Sequence, residues 1–98
     1  MYNMTEYIIE GVRPDTLVSI VQYAQNGRPV GHFLTCVLEN DLMGAMSRAD
    51  LHNRRTLYAI TCFIQNQIPG NCWGRKGIVA EWCAKKAEER EKLAKKNE

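Results

Sequence analysis

The sequence predicts an all-α protein: a small four-helix bundle-like domain with a charged C-terminal helical tail. Three observations predict it. Apolar residues recur at three- and four-residue intervals in four segments. Residues that start or stop helices stand at the ends of those segments. No repeat and no linker divides the 98 residues, which suit one domain. We divide the chain into an N-terminal extension (1–12), a helical domain (13–83) and the tail (84–98).

Residues 1–12 are ambiguous. TEYIIEGV reads as a short strand or an extended lead-in, with Gly11 as a breaker. The first helix is expected over 15–26. Pro14 and Asp15 suit its first turn, where a missing N–H costs nothing. Leu17, Ile20, Val21 and Ala24 make one apolar face, and Asn26-Gly27 stops the helix in a left-handed conformation. RPVGH is a tight connection. A second helix is expected over 32–48, with Leu34, Val37, Leu38, Leu42, Ala45 and Ala49 as its stripe and Gly44 as a place for another helix to approach. Asp50 is an N-cap residue type for a third helix to about Gln67, whose stripe is Leu57, Ile60, Ile64 and Ile68. Pro69-Gly70 ends it. The fourth helix runs from Ile78, with Ile78, Val79, Trp82 and Cys83 packing, and continues as a solvated tail with Glu-to-Lys pairs four residues apart.

Composition narrows the function. Residues 1–83 hold seven Lys/Arg and seven Asp/Glu, so the net charge of +2 belongs to the tail. A neutral body lacks the basic stripe of a duplex-binding protein, so nucleic acid is not the expected partner. No apolar run is long enough for a membrane span, and the N-terminus lacks the pattern of a secretory signal. Four cysteines without C-x-x-C pairing read as reduced thiols of a cytoplasmic protein, and they lack the ligand spacing of a zinc site with His32 or His52. A core this thin leaves about 60–65% of the unfolded surface buried, which favours a homo-oligomer.

Three constellations stand out. Asn40-Asp41 sits in the middle of the second expected helix, with Asp41 on or beside the buried stripe. A carboxylate there needs donors. It either caps a neighbouring helix or lines a polar pocket, and spacing leaves both open. The second is RADLHNRR, with Asp50, Asn53, Arg54 and Arg55. Asp50 is a cap, while arginines in the first turns of a helix run against its macrodipole and are either solvated or an anion seat. The third is NCWGRKG. It lacks the G-x-x-x-x-G-K-[ST] pattern of a phosphate loop. Trp73 there is a plug over the core or a contact residue for a partner. No catalytic set emerges: Ser19 and Ser47 lack a nucleophile elbow, no spacing joins His32 or His52 to a partner, and no cofactor or metal is implied.

The stretch GRPVGHFLTCVLENDLMGAMSRADLHN and the later FIQNQIPGNCWG resemble a group of small accessory proteins encoded by tailed bacteriophages and prophages. The resemblance runs through Tyr23, Gly27, Pro29, Gly31, Phe33-Leu34, Val37, Asn40-Asp41-Leu42, Ala45, Ala49-Asp50, Asn53, Asn66, Pro69 and Cys72-Trp73-Gly74. It covers roughly residues 20–75. The chain departs from it at Val30-Gly31-His32, where the group favours Pro-Gly-Ser. The resemblance implies a host-modulating or counter-defence protein in the bacterial cytoplasm. Such a protein works by binding a host protein or by sequestering a signalling nucleotide, with Asn40, Asp41, Asp50, Asn53, Arg54, Arg55 and Trp73 as the candidate contact residues. A nucleic-acid regulator acting through the tail is the third possibility.

Overall fold

The computed structural model describes residues 2–96. They form six α-helices and one short 3-10 turn, with no strand among them. The helices are α1 (Thr5–Ile9), α2 (Pro14–Asn26), α3 (His32–Leu38), α4 (Leu42–Arg48), α5 (Leu51–Gln67) and α6 (Ile78–Lys96), with the 3-10 turn at Gly70–Cys72. The all-α expectation holds. Two features differ from it: residues 5–9 are helical rather than extended, and the second expected helix is two helices.

Helices α1 and α3 end in the same local device. At the end of α1, Gly11 takes φ 94°, its N–H donates to the Ile8 carbonyl, and the Val12 N–H donates to that of Tyr7. At the end of α3, Asn40 takes φ 61°, its N–H donates to Val37, and the Asp41 N–H donates to Cys36. Each is a Schellman turn, in which a left-handed residue lets the last carbonyls of a helix find donors. Asn40 is the sole non-glycine residue with positive φ among those described.

Asp41 then begins the next helix. Its Oδ1 accepts the Gly44 N–H at 2.9 Å, an N-cap. The helix thus stops and restarts within three residues. Gly44 is required by this cap and not by an approaching helix: a Cβ there would overlap the Asp41 carboxylate.

The core lies between α2, α5 and α6, with α1 and α3 closing its sides. Leu17, Ile20 and Tyr23 of α2 are fully buried, as are Leu38, Ile60, Phe63 and Cys72. The buried face of α5 is Thr56, Ala59, Ile60, Phe63 and Ile64, spaced three and four apart. Tyr7 of α1 meets Phe63 edge-to-face at 5.1 Å between centroids. Gly27 closes α2 at φ 68° and lies so near the Lys86 stem that a side chain would collide with it, which fixes how tightly α2 approaches α6.

Tyr23 locks the centre. Its hydroxyl donates to the Cys72 carbonyl at 2.8 Å, and its own carbonyl accepts the Trp82 indole N–H at 3.0 Å. Burial lifts its phenol well above the usual range, with Cys72, Cys83 and Glu39 adding to the effect. The outer face of Trp82 is covered by Lys85 and Lys86, whose Nζ atoms lie 5.5 and 4.9 Å from its ring. Further along α6, Arg90 bonds the Asn26 carbonyl. Beyond that residue the described part of the helix is exposed.

Candidate functional site: the groove beside the α3–α4 elbow

The Asn40-Asp41 elbow is held from three sides. Glu39 lends its carboxylate to the Val79 N–H at 3.2 Å, capping the start of α6. The Gly74 N–H donates to the Leu38 carbonyl at 2.6 Å, tying the Trp73 loop to the end of α3. The Trp73 indole N–H donates to the Ile68 carbonyl at 3.1 Å, so the ring lies against the core, half-buried.

These ties leave a groove between the elbow and α5. Its larger part, about 260 Å³, is lined by Val37, Asn40, Thr61, Ile64, Gln65, Trp73 and Gly74. A smaller part, about 60 Å³, is lined by Val37, Asn40, Asp41, Leu42, Ala45, Leu57 and Thr61. Val37, Asn40 and Thr61 belong to both, so the two form one groove running from Trp73 to Leu42. Leu57, Thr61, Ile64 and Gln65 form one face of α5 and give the groove a floor of roughly 12 Å at 1.5 Å per residue.

Its chemistry follows from the lining. Apolar surface comes from Val37, Leu42, Ala45, Leu57, Ile64 and Trp73. Polar groups are the amides of Asn40 and Gln65, neither of which has a side-chain hydrogen bond within the described residues, and the Thr61 hydroxyl, which donates to the Tyr58 carbonyl at 2.8 Å. The Asp41 carboxylate is engaged on Gly44. Among the described residues no cationic side chain lines the groove. Such a surface accepts apolar side chains and offers amides to a polypeptide backbone.

The candidate residues therefore divide. Asn40, Asp41 and Trp73 come together on the groove. Asp41, expected on or beside the buried stripe, is exposed and serves as a cap. Asp50, Asn53, Arg54 and Arg55 stand apart from those linings, at the start of α5. Asp50 caps that helix through the Asn53 N–H at 2.8 Å and pairs with Arg13 at 3.1 Å. The Asn53 N–H, helped by Arg13, holds the Asp50 carboxyl below the usual carboxylate range. The first N–H groups of α5 thus face a carboxylate of the chain itself. Arg54 and Arg55 are exposed.

Sequence reasoning missed Thr61, Gln65 and Leu57 as groove residues, and it missed Glu39 as the cap of α6. The spacing of 57, 61, 64 and 65 marks one face of a helix, but only the position of the elbow shows that this face lines a groove. Nothing in the sequence could have joined Glu39 to Val79. Among the described residues no three of His, Cys, Asp and Glu come together around a common point, and no helix is long and apolar enough to cross a membrane. No family model, no curated protein and no solved structure matches this chain.

Proposed function

We propose that this is a binding protein that captures a segment of a host protein in the groove between the α3–α4 elbow and α5. The observation that carries the reading is the groove itself: a mixed floor on α5 in which Leu57 and Ile64 alternate with Thr61 and Gln65, the half-buried Trp73 at one end, and the amides of Asn40 and Gln65, unpartnered among the described residues, along it. An aromatic set in a loop beside an apolar cleft is a recurrent anchor of protein interfaces. The role fits the host-modulating or counter-defence class that the resemblance to phage accessory proteins implies, acting in the bacterial cytoplasm.

The alternative, a signalling nucleotide, has less to support it. Phosphates need cations or free helix N-termini. The groove lining offers no cation, and the Asp50 carboxylate already occupies the N-terminus of α5. The tail remains the route for the nucleic-acid reading, for which the neutral body gives no second contact.

Gln65→Arg tests the proposal. Gln65 is exposed on α5, so a longer side chain fills the groove without entering the core. Captured host protein is expected to fall about tenfold or more with an unchanged melting curve. Equal capture by the variant and the parent protein would sink the groove as the contact site.

A further inference from the structure

The groove opens at Leu42 onto a second surface, and the chemistry of that surface specifies the partner further; this inference rests on the protein-binding reading above. Among the described residues, five of the nine exposed large apolar side chains fall on α4 and the first half of α5: Leu42, Met43, Met46, Leu51 and Tyr58. The exposures are large: 60% for Leu42, 76% for Met43, 61% for Leu51 and 79% for Tyr58. Leu42 also lines the groove, so groove and face are continuous. Arg54 lies one turn before Leu57 on the groove side of α5.

Charge on this face is mainly positive, with Glu10 beside Tyr58 as an exposed acid at its edge. Arg48, Arg54 and Arg55 are exposed, and among the described residues none has a carboxylate within 4.0 Å. The two acids of the same stretch are engaged, Asp41 on the Gly44 N–H and Asp50 on the Asn53 N–H and Arg13. A two-fold pairing of this chain through the face would gather the three arginines of each copy into one interface, because such an interface is built from the same patch twice. A nucleic-acid backbone would satisfy the arginines and leave the leucine and methionine side chains against phosphate and sugar, where base-stacking aromatics are usually found. Flexible methionines with arginines at the rim suit an apolar polypeptide face flanked by carboxylates.

We propose that the α4–α5 face binds an acidic amphipathic segment of the partner protein. Its apolar side chains lie on Leu42, Met43 and Met46, and its Asp or Glu residues meet Arg54 and Arg55. The test is selection of a random peptide library on the full-length chain, followed by titration of a recovered synthetic peptide. The expected peptides carry carboxylates beside two or three large apolar residues. Their affinity falls about tenfold or more in Arg54→Glu/Arg55→Glu and in Met43→Ser/Met46→Ser, with the melting curve of each variant unchanged.

The two readings separate in the same experiment. Loss with Gln65→Arg but not with the arginine or methionine variants overturns this inference and leaves the groove standing. Loss with those variants but not with Gln65→Arg supports the face and counts against the groove. Recovery of no peptide, of peptides without acids, or of binding to oligodeoxythymidine that ignores Met43→Ser/Met46→Ser overturns the inference. So does self-association of the chain that Arg54→Glu/Arg55→Glu abolishes.

Discussion

At the scale of the residue, Asn40 and Asp41 answer for each other. Asn40 holds the left-handed conformation that ends α3, and Asp41 supplies the acceptor that begins α4. Asn40→Gly removes the amide from the groove and keeps the backbone preference, so it should leave stability near the parent value while weakening binding. Asn40→Ala should cost about 1 kcal/mol, since a Cβ without a compensating polar group disfavours φ above zero. Urea titration of the pair checks this, and equal stability of the two would contradict the turn. Asp50 makes a prediction in pH. Its carboxyl is depressed in the folded state, so its contribution is present above the ordinary value of 3.8 and disappears as pH falls through the lower folded value. Asp50→Asn keeps an acceptor for the Asn53 N–H and cannot titrate. Its melting temperature should therefore fall less than the parent's between pH 5 and pH 2, the range over which a depressed carboxylate is protonated.

At the scale of the element, the core of α2 and α6 is organised by one phenol. Tyr23→Phe leaves the buried Cys72 carbonyl without its donor, and a loss of about 1–3 kcal/mol is expected in denaturant. A loss near zero would mean that the hydroxyl is not the lock between α2 and the Trp73 loop. The ends of α2 and α5 were legible because proline, Asn-Gly, Pro-Gly and an aspartate cap are strong local signals. The break between α3 and α4 was not. Three residues separate the two helices, close to one helical turn, so the four-residue spacing from Leu38 to Leu42 runs through the break as though the helix continued. Leu42 consequently lies on the surface and not on the stripe. α1 was misread for a related reason. A five-residue helix carries too little periodicity to be told from a strand, and it is decided by Tyr7 reaching Phe63 across the core.

At the scale of the whole molecule, α5 serves two surfaces at once. One face fills the core, and another forms the floor of the groove and the apolar face beyond it. Asn40, Asp41 and Trp73 could be singled out from the sequence because they are polar or aromatic in unusual places. Their meeting on one groove could not, because it depends on the Gly74–Leu38 bond and on the turn at Asn40. Thr61 and Gln65 are ordinary polar residues on a helix, and only the elbow opposite makes them part of a groove.

The central claim is that this groove is occupied by another protein in the cell. It is tested most directly by placing a photo-crosslinking amino acid at Gln65 and, as a control, at Ser19 on the exposed side of α2, then irradiating bacterial cells that make each variant. A discrete protein adduct at position 65 that is absent at position 19 is the expected result. No protein adduct at 65, or the same adducts at both positions, would contradict the claim.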